Sequence, residues 1–169
     1  MAEPSATSTH ERETRLSPVP EAWIHFLRAH AAITRQMDAD LIASHGLTLS
    51  DYEVLLRLYQ APDNRMRRVD LAEEVFLTQS GITRLLAGLE TAGLVERASC
   101  DTDRRVVYAQ LTELGHKAFR TAGRTHLDGI RRLFVDHFTG AELQTLGELF
   151  GRLPLRPDEA PACGPEDAG

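Results

Sequence analysis

The sequence predicts a mostly α-helical fold with one small β-hairpin. Apolar residues recur at three- and four-residue steps through much of residues 20–153, a period that places an apolar stripe on one face of a helix. Between residues 94 and 111 the period changes, because LVERASC and VVYAQL are short β-branched or alternating runs on either side of DTDRR. Two such runs around a polar tip predict a two-stranded hairpin.

Composition bounds the class of protein. A chain of 169 residues with 42% hydrophobic and 26% charged residues has the make-up of one compact soluble domain. No apolar run approaches the about 20 residues that a membrane span requires. The N-terminal segment MAEPSATSTHERETRLSPVP also lacks the apolar stretch of a signal peptide. We therefore expect a cytoplasmic protein that does not associate with a membrane.

The charge distribution is less simple than the total. A formal net charge of −6 argues against indiscriminate binding to polyanions. Residues 65–105 nevertheless hold seven arginines, together with seven acidic residues. A basic surface in this segment therefore requires a fold that turns the acidic side chains away.

Both ends of the chain are predicted to be flexible tails. Residues 1–19 and 154–169 are rich in Pro, Ser, Ala and acidic residues, and the second tail is markedly acidic. The first folded element is a helix over about 20–45, closed by His45 and Gly46. Its apolar stripe consists of Trp23, Phe26, Leu27, His30, Ile33, Met37, Leu41 and Ile42.

The next segment predicts a helix-turn-helix. Ser50 and Glu53 have the spacing of a reciprocal cap at a helix start, and Pro62 ends that helix. A short helix over 69–76 is followed by another from about residue 78 to 92, where Gly93 can adopt the left-handed conformation that stops it. Two helices separated by a turn at residues 77–78 form a helix-turn-helix.

Helical periodicity returns after the hairpin. Leu127, Ile130, Phe134 and Phe138 are spaced for one face of a long helix that begins after residue 112. Thr139 and Glu142 then form another capping box. The last helix carries Leu143, Leu146, Leu149, Phe150 and Leu153.

A helix-turn-helix followed at once by a hairpin is the winged-helix arrangement, and it predicts DNA binding. The helix after the turn can bury its apolar side and leave the other side free for a groove. Its start carries small polar side chains and one long cation that can approach base edges or phosphates. Glycine there would permit close approach to DNA. These predicted contact residues are Thr78, Gln79, Ser80, Gly81, Thr83 and Arg84.

The hairpin tip predicts a second contact. Arg104 and Arg105 suit the minor groove, whose negative potential attracts arginine where the groove is narrow. Asp103 would repel phosphate, so we expect it to pair with a neighbouring arginine and orient it.

These motifs carry a family resemblance. The segment VDLAEEVFLTQSGITRLLAGLETAGLVERASCDTDRRVVYAQLTELG resembles the helix-turn-helix and wing of the MarR (multiple antibiotic resistance regulator) family of bacterial transcription factors, and HGLTLSDYEVLLRL resembles the family's second helix. The resemblance covers most of residues 20–153. It implies a winged helix at about 47–111 and dimerisation helices at about 20–45 and 112–153. It also implies that Arg105 enters the minor groove while Asp103 supports it.

Dimerisation also follows from the apolar content of the terminal helices. They carry more apolar surface than a small lobe can cover, so a second copy is expected to cover the remainder. Two-fold symmetry would then place the two reading helices about 34 Å apart, one turn of DNA, over a pseudo-palindromic operator.

Four residues are candidates for binding a small effector. Trp23 and His30 share a face of the first helix, where packing is the simpler interpretation and a pocket between the dimerisation helices and the lobe is the alternative. The family resemblance implies an aromatic or phenolic effector in such a pocket. Urate-responsive members place an acid on the second helix and arginines on the reading helix and first wing strand, the positions of Glu53, Arg84 and Arg97. Ion pairs with Asp70, Glu73 or Asp103 are the structural alternative for the two arginines.

Other functions are weaker predictions. No histidine pair has helical i,i+4 spacing, so we expect no metal site and no cofactor. Cys100 is expected to be a buried structural thiol, and it forms no disulfide pattern with Cys163. No enzyme motif is present. The sequence therefore predicts a dimeric DNA-binding regulator, a repressor released by a small molecule. A protein-interaction module and a redox or metal switch remain the alternatives.

Overall fold

The structure is a computed structural model that describes residues 18–75, 77–99 and 107–153. In this part of the chain the helices are α1 (Pro18–His45), α2 (Leu49–Gln60), α3 (Arg68–Glu74), α4 (Gln79–Thr91), α5 (Glu113–Leu133) and α6 (Gly140–Phe150). The strands are β1 (Arg65–Arg67), β2 (Val95–Ser99) and β3 (Val107–Leu111). The mostly helical fold with a small wing is thus confirmed.

Helix α1 buries only the C-terminal half of its apolar stripe. Met37 and Leu41 are buried, whereas Trp23, Phe26 and Leu27 are exposed. The buried half packs along α5, where an added Cβ on Gly129 would lie 3.5 Å from Met37 Cγ. The N-terminal half therefore presents an uncovered apolar face.

Helix α2 begins with a different cap from the predicted one. Thr48 Oγ1 accepts a hydrogen bond from the Asp51 amide at 3.0 Å, and Asp51 Oδ2 accepts one from the Thr48 amide at 2.9 Å. The predicted cap at Ser50 and Glu53 is therefore wrong. Local sequence did not distinguish the two pairs, because both have the three-residue spacing of a capping box and their segments share residues 50 and 51. Asp38 supports the earlier start, since its carboxylate accepts from the amide of Leu49 at 2.8 Å.

The sheet has three strands in the order β1-β3-β2, both pairs antiparallel. The β2–β3 hairpin was predicted and β1 was not. Asp63 and Asn64, with φ values of 54° and 53°, turn the chain from α2 into β1. Arg65 then lies opposite Gln110, and Arg67 opposite Tyr108.

The lobe core lies between α2, α3, α4 and the sheet. Helix α3 ends at Glu74, short of the predicted residue 76, and residue 76 lies outside the described ranges. Gly93 follows α4 with a φ of 70°, the predicted left-handed conformation. The fully buried side chains of this core are Val54, Leu55, Leu58, Leu71, Ile82 and Leu86.

A single residue, Thr112, joins β3 to α5. Its hydroxyl donates to the carbonyl of Gly93 at 2.7 Å and accepts from the amide of Gly115 at 3.0 Å. An added Cβ on Gly115 would lie 2.1 Å from the Leu94 carbonyl oxygen. Helix α5 therefore lies directly against the turn that connects α4 to β2.

Helix α5 is shorter than predicted. It ends at Leu133, and the chain turns through a 3-10 segment, Val135–His137. The turn brings the rings of Phe134 and Phe138 to 5.2 Å, so they pack on each other instead of lining one continuous helix. Helix α6 then begins with the predicted capping box, in which Glu142 accepts from the Thr139 amide at 2.8 Å.

Within the described ranges, no helix combines the length and the apolar character needed to cross a membrane.

Candidate nucleic-acid interface

Helix α4 has one face buried in the lobe core and an open face that is exposed to solvent. Ile82, Leu86 and Leu89 are buried in the lobe core. The exposed side chains near its N-terminus include Gln79, Ser80, Thr83 and Arg84. Because residues three and four apart share a face of a helix, Ser80, Thr83 and Arg84 form one continuous polar surface.

The hydroxyl groups at the start of α4 are partly used within the helix. Thr78 Oγ1 accepts from the Gly81 amide at 3.1 Å, and Thr83 Oγ1 donates to the Gln79 carbonyl at 2.7 Å. With its proton engaged, the Thr83 hydroxyl can accept from a base amino group but not donate to a phosphate. The side-chain amide of Gln79 makes no hydrogen bond to any described residue, so it can both donate and accept.

Gly81 lies beside the cap of α4. An added Cβ would be 3.2 Å from Thr78 Oγ1 and 3.7 Å from Leu77 Cβ. A side chain here would be in close contact with the cap. The contact does not by itself require glycine, since Asp51 and Glu142 follow the Thr48 and Thr139 caps at the same spacing.

Arg84 and Arg97 differ in whether their guanidinium groups are already paired with a carboxylate. Arg84 is exposed and makes no ion pair or hydrogen bond within the described ranges. Arg97 on β2 directs Nε at both carboxylate oxygens of Glu90, at 3.0 and 2.9 Å. This contact raises the pKa of Arg97 through the hydrogen bond and charge of Glu90. Of the two arginines, Arg84 is the one free to meet a phosphate or a base.

The ion-pair interpretation of Arg97 was right in kind, but the described partner is Glu90 instead of Asp70 or Glu73; Asp103, the third predicted partner, lies outside the described residues. Asp70, one predicted partner, is held by Arg67 through two bonds of 2.6 and 2.7 Å. Glu90 lies in the last turn of α4, and only the reversal of the chain at Gly93 brings it to Arg97. No local spacing signals that contact.

The predicted wing contacts lie outside the described ranges. Asp103, Arg104 and Arg105, together with Cys100, fall between residues 100 and 106. Strands β2 and β3 frame this segment, with Ser99 paired to Val107. The three wing contacts therefore stay predictions.

The four predicted effector residues occupy three separate environments. Trp23 and His30 flank Phe26, with ring centroids at 5.8 and 6.3 Å. Arg97 is engaged by Glu90 as above. Glu53 is exposed on α2, where loss of hydration raises its pKa and Arg57 partly opposes that rise. Within one chain, the described contacts do not gather these residues into a pocket.

A ring cluster that sequence patterns did not signal lies between α2 and α5. The rings of Tyr52 and His126 are 4.3 Å apart, and Phe119 stacks on Tyr52 at 5.5 Å. The Nδ1 atom of His126 is buried without a hydrogen-bond partner among the described residues. Burial lowers the pKa of His126 and raises that of Tyr52.

No group of three or more His, Cys, Asp or Glu side chains within the described ranges is placed to hold a metal ion.

Comparison with known proteins identifies the family. The MarR family model matches residues 45–106. AbsC, a MarR family transcriptional regulator from Streptomyces coelicolor, is 33% identical, with a TM-score of 0.75 over 79% of this chain and 90% of that one. The chain belongs to the MarR family.

Other MarR relatives connect the family to transcription and DNA. Sco3205 of Streptomyces coelicolor, whose crystal structure is a complex with DNA, is 27% identical, with a TM-score of 0.76 over 80% of this chain and 88% of that one. The transcriptional repressor YetL of Bacillus subtilis is 29% identical over 119 residues, 69% of this chain and 71% of YetL. This MarR protein is therefore similar to transcriptional regulators, not to enzymes.

Proposed function

We propose that this MarR-family regulator binds a pseudo-palindromic operator as a homodimer and represses transcription until a small effector releases it. A regulator that binds DNA in this way would act in the cytoplasm. The structural observation that carries the proposal is the open face of α4.

That face combines two properties of a major-groove reader. It is fixed in place, because the opposite side of α4 is buried in the lobe core. It offers an amide at Gln79 and a guanidinium at Arg84, neither engaged by another described side chain, and these groups suit bidentate contacts to adenine and guanine respectively. Thr78, Ser80, Gly81 and Thr83 complete the predicted contact surface.

The arrangement of ion pairs supports Arg84 as the principal cation of this face. Arg57, Arg65, Arg67 and Arg97 each lie within 4 Å of a carboxylate, at Glu74, Asp63, Asp70 and Glu90 respectively. Arg84 has no such neighbour among the described residues. Arg84 therefore offers a cation that no described carboxylate neutralises locally.

The wing would supply the minor-groove contact. Arg104 and Arg105 follow β2 and precede β3, and Asp103 would orient one of them. This part of the proposal is supported by the framing strands and by the family resemblance of the Asp-x-Arg pattern.

The terminal helices would form the dimer. Trp23, Phe26 and Phe150 are exposed yet mutually adjacent, with the Phe26 and Phe150 rings 5.9 Å apart. An exposed aromatic cluster of this kind favours a protein partner, here a second copy. We assign residues 47–111 to DNA binding and about 20–45 and 112–153 to dimerisation. The predicted tails, 1–19 and 154–169, lie outside the described residues except for positions 18 and 19, which belong to α1.

The proposal also includes repression of transcription and its release by an effector. YetL is named a transcriptional repressor, and we extend that activity to this chain. An effector needs only to bind more tightly to the dimer whose reading helices do not match the operator.

A mobility shift with the DNA upstream of the protein's own gene tests the function. Arg84→Ala and Arg105→Ala should each weaken binding by about 1–3 kcal/mol while leaving the fold intact. Arg124→Ala, an exposed arginine on α5, is the matched control and should bind like the wild type. Wild-type affinity should also fall steeply with salt, because each neutralised phosphate releases counterions.

Two outcomes would contradict the proposal. Affinity that does not change from low to high salt would exclude phosphate-driven binding. Failure to shift any upstream DNA would favour use of the winged helix as a protein-interaction module.

A further inference from the structure

One face of helix α5 carries a row of exposed cations at spacings of three, four and seven residues, which place them along one side of the helix. This α5 basic face consists of Lys117, Arg120, Arg124 and Arg131. The side of α5 that packs in the fold lies opposite, since Gly115, Ala122 and Gly129 are its buried residues. The basic face is therefore open in the single chain.

The described part of the fold leaves most of these cations without a carboxylate. Three of the four make no side-chain hydrogen bond or ion pair with a described residue, and the fourth, Arg131, has one exposed contact, with Nε 3.8 Å from an Asp136 oxygen. The two acidic residues of α5, Glu113 and Asp128, form no ion pair with any of the four. The face thus presents a local positive field in a chain whose formal net charge is −6.

A segment of opposite charge follows α6 in the same chain. Residues 154–169, which lie outside the described ranges, contain four acidic residues and one arginine. The acidic residues form two pairs, Asp158–Glu159 and Glu166–Asp167. Four prolines in the segment favour extended backbone, in which the pairs would be about 25 Å apart. Arg131 and Lys117 are about 21 Å apart along α5, so one acidic pair matches each end of the basic face.

The end of α6 is close enough for this segment to reach the basic face. Phe26 of α1 packs against the C-terminal end of α6, with ring centroids 5.9 Å apart. Met37 of α1 lies against Gly129 of α5, so the path from Phe26 along the two helices to Lys117 is about 34 Å. An extended chain over residues 153–166 covers about 40 Å, which is sufficient for that path.

We propose that residues 154–169 dock on the α5 basic face of the same chain. The segment runs back along α5, so its first acidic pair meets Arg131 and its second meets Lys117 and Arg120. Single ion pairs at an exposed surface are weak, but tethering gives several of them a high effective concentration. A second copy fits this face less well, since a two-fold contact through it would bring identical cations together.

Docking would keep the basic face from binding polyanions. An open row of cations attracts nucleic-acid phosphates regardless of sequence, whereas a docked acidic segment competes for the same cations. The segment thus limits nonspecific contacts with DNA. Operator binding through α4 does not use this face, so Arg124→Ala is still expected to bind like the wild type in the mobility shift.

Lys117 is the only lysine in the sequence, so carbodiimide coupling gives a specific test. The reagent joins a carboxylate to an amine only where the two groups are in direct contact. Coupling of the full chain followed by trypsin should link peptide 106–120 to a peptide that contains Glu166 and Asp167. The product should keep the mass of one chain in a denaturing gel, and its yield should fall severalfold in about 0.5 M salt because exposed ion pairs are screened.

Matched charge variants separate docking from chance contact. Arg120→Gln combined with Arg124→Gln leaves both reactive groups in place and should reduce the yield severalfold. Arg28→Gln combined with Arg35→Gln removes the same charge from α1 and should leave the yield unchanged. All four arginines are exposed, so the fold should tolerate the changes.

Retention on heparin measures the effect on polyanion binding. The acidic residues of the segment are replaced by their amides: Asp158→Asn, Glu159→Gln, Glu166→Gln and Asp167→Asn. This change should raise the salt concentration needed for elution. In the background of Arg120→Gln and Arg124→Gln the increase should be much smaller, because the basic face is already weakened.

Four results would overturn the docking. They are the absence of a link between Lys117 and residues 153–169, an unchanged yield in the Arg120→Gln and Arg124→Gln variant, equal heparin shifts in the two backgrounds, and a linked product with the mass of two chains. The last result would assign the contact to a second copy. Failure of the operator mobility shift would contradict the proposed function and leave the docking intact.

Discussion

His126 occupies a position that disfavours its charged form. Its ring lies 4.3 Å from Tyr52, its Nδ1 atom is buried without a partner among the described residues, and burial lowers its pKa below the ordinary 6.5. The unfolded chain therefore binds a proton at this residue more readily than the folded chain does. Stability should decrease as pH falls from about 6.5 towards the lowered pKa, and this contribution should be constant below it.

The substitution His126→Phe should reduce that pH dependence, because the ring contact is kept and the titrating group is removed. Urea unfolding at pH 7.5 and 5.5, at one protein concentration, measures the difference. His137→Phe, at an exposed position, is the control and should keep the wild-type difference. An equal difference in wild type and His126→Phe would exclude His126 as the source.

Gly115 and Gly88 are predicted to respond oppositely to the same change. Gly115→Ala forces a methyl group against the Leu94 carbonyl, which accepts the Thr112 amide at 3.1 Å, so we expect a loss of about 1–3 kcal/mol in unfolding free energy. Nothing lies within 4 Å of an added Cβ on Gly88, so Gly88→Ala should gain about 0.4–1 kcal/mol. Thermal unfolding of the two variants separates the steric effect of close packing at Gly115 from the general effect of replacing a glycine by alanine.

Helix starts are encoded locally, but the choice between overlapping caps is not. Thr139 and Glu142 were predicted as a capping box because no competing pair lies beside them. Thr48 with Asp51 competes with Ser50 and Glu53, and tertiary contact decides, since Asp38 from α1 accepts from the amide of Leu49. Such a contact across the fold is not visible in local spacing.

Substitution at the start of α2 tests this assignment. Thr48→Ala removes the side-chain acceptor of the first turn and should lower the unfolding free energy by about 1 kcal/mol. Ser50→Ala should change it by less than half as much, because Ser50 lies inside the helix. A larger loss of unfolding free energy for Ser50→Ala than for Thr48→Ala would indicate that Ser50 is the N-cap residue, as the sequence predicted.

Neither strand β1 nor the contact of Arg97 with Glu90 could be predicted from local spacing, because both depend on residues that only the fold brings together. Three residues, two of them arginine, have no recognisable alternation, and β1 is a strand only because β3 offers it a pairing edge. Glu90 reaches Arg97 only after the chain reverses at Gly93. The exposed polar face of α4 was predictable from its 3.6-residue period, whereas the ion pairing of the charges near it depended on folding.

At the scale of the whole molecule, the exposed aromatic cluster of α1 and α6 predicts self-association. Phe150→Glu places a charge beside Phe26 and should convert a dimer into monomers, with reduced operator affinity because paired half-sites need both lobes. Sedimentation at micromolar concentration measures the change. Val69→Glu, an exposed apolar position on α3, should remain dimeric, and a monomeric wild type would refute this assignment.

Because Thr112 alone connects β3 to α5, a small movement at this residue can change distances on the scale of an operator site. Strand β3 and helix α5 have no flexible linker between them, and α5 has 21 residues, a length of about 30 Å. A tilt of a few degrees at one end of such a rigid rod displaces the other by about an ångström or two. In the proposed dimer, a small rotation of α5 would therefore be transmitted through Thr112 to β3.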